Sequence, residues 1–350
     1  MSHSIVLLCL CLGLAGCTIT PTLPPYDGPG VRYDGGSGPG AGRHIVLVAG
    51  DEEYRSEEAL PALAKILSTH HGFTTTVLFA LDEADAFIDP NASGNIPGLQ
   101  IVDDADLLVL FTRFRRLPDE DMAHLVDYIE AGRPLLGIRT ATHAFAYEKD
   151  STSQYARWNW NDGEWPGGFG RQVLGETWVA HHGHHGKEST RGVIPADVAD
   201  HPILRGVGTI WGPTDVYAVR ELPADATVLV RGAVLDSMEP DGQAVDDGRN
   251  RPMMPIIWTR ERDVGQRLGE RQGDGLTQRV VTSTIGASVD LANGELRRAL
   301  VNACYWLQGL EEQITPDSNV DLVGDYAPTM FGFGSFVTGV RPSDHGLTDD

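Results

Sequence analysis

Hydrophobic and polar positions along this chain fall into blocks that switch between two periods. His44-Ile-Val-Leu-Val-Ala-Gly50 is a short continuous apolar run, the pattern of a strand buried on both faces. Ser56-Glu-Glu-Ala-Leu60 follows, and its serine and two acids predict a helix capped by Ser56 that runs to about His70. Residues 74–80 and 106–112 repeat the strand pattern. Pro118-Asp-Glu-Asp121 opens a second helix that Gly132 stops, and residues 134–138 form a fourth strand. Strand, helix, strand, strand, helix, strand predicts an α/β fold with an open, mainly parallel sheet and helices on both faces. Strand-like segments return at 227–231, 255–258 and 279–283, and a helix is expected from about Gly294 to Leu310.

Sheets of this kind bind ligands beyond the C-terminal ends of their strands. The segments expected there are Asp51-Glu-Glu-Tyr-Arg55, Thr112-Arg-Phe-Arg115 and Arg139-Thr-Ala-Thr-His143. All three are charged where a plain turn needs only Gly, Asn or Asp. Arg55, Arg113 and Arg139 have forked donors suited to a carboxylate, a phosphate or several hydroxyls. Glu53, Glu52 and Asp51 balance them, and ion pairing within the pocket is the equally weighted alternative. His143 is a candidate general acid or base, or else a satisfied, partly buried ring.

Two denser clusters follow. Trp158, Trp160, Trp165 and Phe169 lie among Gly, Asn and Asp between residues 155 and 170. Indole faces stack on sugar C–H surfaces, so Trp160 and Trp165 are candidate carbohydrate contacts, or else plugs over a sheet edge. Trp158 and Trp160 have strand-like spacing and are expected to share a face. Four of the twelve histidines then crowd into His181, His182, His184 and His185. Imidazole titrates near neutrality and ligates first-row metals. The loop therefore admits a divalent metal such as zinc, and equally a solvated turn. Adjacent histidines do not readily meet one ion, whereas His182 with His184, or His181 with His185, can, with Glu176 or Asp215 as third ligand.

Composition changes this picture in three respects. The formal charge of -22 argues against nucleic acid and against bulk attraction to anionic membranes. Residues 5–16 are apolar but too few to span a bilayer, and Leu14-Ala-Gly-Cys17 resembles a bacterial lipobox. Residues 1–17 are thus expected to be a signal segment with Cys17 lipidated, although its start lacks Lys or Arg; a plain signal peptide is the alternative. Membrane contact is then expected only through that anchor. Cys9 and Cys11 lie within the signal, which leaves Cys304 on the predicted late helix as a buried apolar residue with no disulfide partner. Residues 18–43, rich in Pro and Gly, are expected to be a tether, residues 44–310 the folded domain and residues 311–350 an extended tail that wraps the body or stays free. No Rossmann or Walker glycine pattern is present, and nothing in the sequence fixes an oligomeric state.

Asp51-Glu-Glu-Tyr-Arg55, Gly137-Ile-Arg-Thr-Ala-Thr-His-Ala-Phe145, Gly167-Gly-Phe-Gly-Arg171, His201-Pro-Ile-Leu204 and Pro213-Thr-Asp-Val-Tyr217 together resemble the ThuA-like family, named for trehalose utilisation. The likeness covers roughly residues 43–310, and the tail resembles the secreted, planctomycete-type branch. It implies a flavodoxin-like three-layer sandwich related to class I glutamine amidotransferases, and a link to sugar metabolism. Those amidotransferases carry a cysteine nucleophile on a Gly-x-Cys-x-Gly elbow. Here Arg139 stands near that position, and a permanently protonated guanidinium cannot attack. Glutamine amidotransfer is excluded. Three functions stay open: an exported enzyme acting on a sugar-derived molecule, a non-catalytic binder of a carbohydrate or other small ligand, or an envelope lipoprotein. For the enzyme, Glu53, His143 and Asp215 are the catalytic candidates, and Tyr217 is placed with the ligand contacts.

Overall fold

The computed structural model describes residues 26–84, 86–264 and 276–347. Its elements, in chain order, are β1 (Val31–Tyr33), β2 (His44–Gly50), α1 (Ser56–His71), β3 (Thr74–Phe79), β4 (Leu107–Thr112), α2 (Asp119–Glu130) and β5 (Leu135–Ile138). They continue with β6 (Thr190–Val193), β7 (Trp211–Gly212), β8 (Ala226–Val234), β9 (Met254–Asp263), β10 (Thr277–Ser283) and α3 (Gly294–Leu307). All ten strands join one sheet in the order β1-β3-β2-β4-β5-β10-β9-β8-β6-β7.

The apolar runs have a direct physical cause. Successive strand residues point to opposite faces, and both faces of the sheet centre are covered. Ile45, Leu47 and Ala49 of β2 and Leu107, Val109 and Phe111 of β4 enter one core with Leu60, Leu63 and Leu67 of α1 and Leu296, Leu300 and Cys304 of α3. Their neighbours Val46, Val48, Leu108 and Leu110 enter the opposite core with Met122, Leu125 and Ile129 of α2. A strand sandwiched this way has no polar positions to spare. Cys304 is buried as expected, and burial pushes its thiol up to about 12.

The parallel centre is as expected: β3, β2, β4, β5 and β10 pair in parallel. The other half corrects "mainly parallel". β10 pairs antiparallel with β9, β9 with β8, β8 with β6 and β6 with β7. The sheet is therefore mixed, with β10 as the seam: it pairs parallel with β5 on one side and antiparallel with β9 on the other. Three local expectations also change, and one open alternative is decided. Residues 18–43 are not only a tether, since Val31 and Tyr33 are buried and β1 closes the β3 edge antiparallel. Ser56 does not cap α1; its hydroxyl accepts from the Asp51 amide, and Asp51 Oδ1 takes the Glu53 and Tyr54 amides at 2.7 and 2.6 Å. Trp158 ends a 3-10 turn and is buried in the α2-side core, so it shares no face with Trp160. The tail wraps the body, with Ile314, Val320 and Phe331 in the α1–α3 core. Among the described residues no helix is long and apolar enough to cross a membrane. Cys17 and the rest of the expected signal segment lie outside the described residues.

Candidate functional site

Three of the parallel strands are followed by a non-glycine residue with left-handed backbone. Arg55 after β2, Phe114 after β4 and Arg139 directly after β5 have φ of 61°, 51° and 47°. Such conformations cost about 1–3 kcal/mol each and persist where surrounding structure over-determines them. That structure is present. Phe114 N–H donates to the His143 carbonyl at 2.9 Å, Arg115 N–H to the Ala144 carbonyl at 2.6 Å, and Arg113 N–H to the Gly50 carbonyl at 2.8 Å. The Thr140 hydroxyl donates to Asp51 Oδ2, tying the β5 end to the β2 end.

Beneath these turns lies a fully buried ion pair. Arg139 Nη2 meets Asp215 Oδ1 at 3.2 Å, while Nη1 donates to the carbonyls of Asp215 and Thr284 at 2.8 and 2.6 Å. The guanidinium lies between the rings of Tyr217 and Tyr54, 3.9 and 4.4 Å from their centroids. Arg139 therefore occupies the elbow as scaffold, and the expectation that it grips a ligand is corrected: both terminal nitrogens are already committed inside the protein. Tyr217, also fully buried, serves the same packing.

Asp215 has a second side. His181 Nδ1 lies 2.7 Å from its Oδ2 and His185 Nδ1 lies 3.1 Å from its Oδ1. Burial pushes the Asp215 carboxyl up, but the hydrogen bonds from both histidines and the Arg139 charge outweigh it and hold it well below the usual range. An ionised Asp215 fixes Nδ1–H on each ring, so a neutral His181 presents Nε2 as an acceptor. The His181 and His185 side chains are 34% and 35% exposed, so this face reaches solvent. His185 Nε2 is in turn 3.4 Å from Glu53 Oε1, and Glu53 Oε2 is 3.4 Å from Arg113 Nε. Burial raises the Glu53 carboxyl above its ordinary value, with Arg113 opposing. One acid is thus held ionised and another pushed toward its protonated form, with His185 between them.

The histidine cluster divides. The loop is pinned by His182 and Gly183 N–H donating to the Val216 carbonyl, and by Lys187 and Glu188 N–H donating to the His184 carbonyl. This turns His181 and His185 inward and sends the other two away. His182 Nε2 meets the Arg249 carbonyl at 2.9 Å, and exposed His184 faces Glu188 at 3.2 Å. Of the two metal pairings, His181 with His185 has the geometry, with Asp215 as third group; the atoms lie within 4.8 Å of one another. Glu176 instead accepts from Arg171 and from the Arg220 amide.

The other predicted residues take these places. Arg113 pairs with Glu52 and Glu53 at the partly exposed rim. Arg55 is fully buried under the tail, donating to Gly332 O at 2.7 Å, Ser335 Oγ at 2.5 Å and Thr329 Oγ1 at 3.1 Å, so its donors are taken by the chain itself. His143 is 3% exposed, with Nδ1 3.1 Å from the Thr142 hydroxyl; burial and then the Arg113 and Arg139 charges hold it neutral. Its ring packs on Phe114, Trp178 and Tyr217. Trp160 lies against Phe114 and Trp178, centroids 5.7 and 5.9 Å away. Trp165 does not join them: it packs on Trp158 and Arg157. A cleft of 330 Å³ opens beside Trp160 and Trp178, lined also by Arg171, Thr177 and Arg220.

Sequence reasoning missed Trp178, Phe114, Phe331 and Phe333 as site residues. Trp178 stands three positions before His181 and edges onto it at 5.8 Å. Phe331 packs on His185 and Tyr54 at 5.2 and 5.5 Å, and Phe333 covers Arg113 at 5.0 Å. The available signal was the Phe331-Gly-Phe-Gly-Ser-Phe336 run in the tail.

No family model matches the chain, and no curated protein does. Among solved structures, the fold is similar to a ThuA-like protein from Bacteroides uniformis ATCC 8492, with 14% identity over 81% of this chain and 98% of that one, at a TM-score of 0.48. A ThuA-like protein from Parabacteroides merdae ATCC 43184 is similar at 14% identity over 87% of this chain and 98% of that one, with a TM-score of 0.47.

Proposed function

We propose that this chain is an exported, ThuA-like enzyme of the flavodoxin-like, amidotransferase-related sandwich class, and that it performs acid–base chemistry on a saccharide or sugar-derived molecule. The observation that carries this reading is the His181–Asp215–His185–Glu53 chain at a solvent-facing strand end. His181, oriented by Asp215, acts as the base through Nε2. Glu53, raised by burial, is the proton donor. Trp160, Trp178 and Phe114 supply the faces on which a sugar ring stacks, and Arg113 supplies hydroxyl-binding donors. Four of the motifs that carry the family resemblance, at 51–55, 137–145, 167–171 and 213–217, contribute side chains or backbone to this one region. That convergence supports a shared ligand site over five unrelated structural motifs.

The test is product analysis by NMR after incubating purified protein with mono- and disaccharides and their oxidised derivatives. Conversion that disappears in His181→Asn supports the enzyme; tight binding of a glycan without conversion supports the non-catalytic binder. A second reading rests on the 4.8 Å clustering of His181, His185 and Asp215, a donor set used for catalytic zinc. It is less favoured because Arg139 already neutralises the same carboxylate at 3.2 Å, and a divalent ion beside that buried cation would be repelled. Metal analysis of the purified protein decides between them. Export with lipidation at Cys17 is tested by mass spectrometry of the mature N-terminus.

A further inference from the structure

The ring contacts around the site form a chain that ends on the C-terminal tail, and the tail meets the chain's other end through Arg113. Ring centroids step from Phe114 to Trp160 at 5.7 Å, to Trp178 at 5.9 Å, to His181 at 5.8 Å, to His185 at 4.7 Å and to Phe331 at 5.2 Å. Phe333, two residues on, lies over the Arg113 guanidinium at 5.0 Å, and Arg113 lies over Phe114 at 4.5 Å. Resting on the saccharide reading above, we propose that the tail is part of the ligand site, with Phe333 the platform for a second sugar unit.

The tail is fastened where this role requires. Gly332 N–H donates to the Glu53 carbonyl at 2.7 Å, and Arg55 holds Gly332 and Ser335. Glu58 accepts from the Thr329 amide and hydroxyl at 2.8 and 2.6 Å. Gly332 and Gly334 have φ of 140° and 67°, conformations that side-chain-bearing residues rarely adopt, so the backbone on both sides of Phe333 is shaped by glycine. That shaping presents the ring outward. Phe333 is 62% exposed, although the same segment buries Phe331 two residues earlier. Phe333 meets Arg113, which lies 3.4 Å from Glu53, itself 3.4 Å from His185, and the rest of the ring is open to solvent. An apolar face flanked by a carboxyl, an imidazole and a guanidinium fits a hydroxylated ring stacked by its C–H side.

The experiment is a glycan array with the wild-type chain, Phe333→Ala, Phe333→Trp and Met330→Ala. Met330 is a tail residue of similar exposure, 53%. Glycans retained by the wild type are then titrated calorimetrically. Because Phe333 is exposed, melting temperatures of all four proteins should agree, which separates binding from folding. The expected result is about a tenfold or larger rise in Kd for Phe333→Ala on disaccharides, as loss of one ring contact gives. Monosaccharides should lose less, Phe333→Trp should rescue, and Met330→Ala should match the wild type. Unchanged disaccharide affinity in Phe333→Ala overturns the role of the tail and leaves the saccharide reading standing. A wild-type chain that retains no glycan overturns both.

Discussion

At the scale of single residues, Asp215 has two duties. It neutralises Arg139 in the core and orients His181 and His185 at the surface. Removing its charge leaves the Arg139 guanidinium buried without its partner, so Asp215→Asn is expected to lower unfolding free energy by about 3–5 kcal/mol, measured by urea denaturation at neutral pH. Because its folded carboxyl is held low, its contribution is complete above the unfolded carboxylate range. It is lost as acid protonates the folded form, so wild type and variant should converge in stability toward low pH. Glu57 has the opposite sign. It is buried in the first turn of α1, neither oxygen has a partner beyond its own amide, and burial raises it to about 8. Its stabilising effect is full below the unfolded pKa and lost as pH rises through about 8. Glu57→Gln should therefore raise the melting temperature, more at pH 9 than at pH 5; an equal change at both would contradict the shift.

At the scale of elements, the C-terminal tail decides how much of the site is built. Among its described residues it has no strand or α-helix, yet it contributes Ile314, Val320 and Phe331 to the α1–α3 core. Burial on this scale makes it part of the fold and not an appendage. Phe331→Ala is expected to cost about 3 kcal/mol by leaving a cavity beside Tyr54, and Arg55→Ala should loosen the tail near Gly332 without disturbing the parallel strands. Hydrogen exchange of backbone amides reads both. Protection should fall at Gly332, whose amide donates to Glu53, and stay unchanged in β2 and β4. Equal loss of protection in the strands would mean that Arg55 supports the body itself.

At the scale of the whole molecule, the parallel centre was legible because β2 from Ile45 to Gly50 and β4 from Leu107 to Phe111 are continuous apolar runs, the pattern of burial on both faces. The rule that ligands bind beyond strand ends then located Asp51–Arg55, Arg113 and Arg139 correctly in space. The pairing of β6 to β10 was not legible, since those segments carry strand character but no signal of direction. Side-chain roles were legible only in part. Arg139 and Arg55 have the composition of ligand contacts, yet the carbonyls that absorb their donors, at Asp215, Thr284 and Gly332, come from distant parts of the chain. The histidine cluster was divisible in principle by spacing, and the Val216 pairing determines which two turn inward. His143, central by position, is packed under Phe114 and Trp178, which is why the proposal turns to the more exposed His181.

The central claim is that His181, poised by Asp215, carries the chemistry of this site. It is tested most directly by comparing turnover of the wild type and His181→Asn on the saccharide that the wild type converts, with binding measured alongside. The account predicts at least a ~100-fold fall in turnover, with ligand affinity and melting temperature close to wild type. Turnover by His181→Asn at the wild-type rate would contradict it.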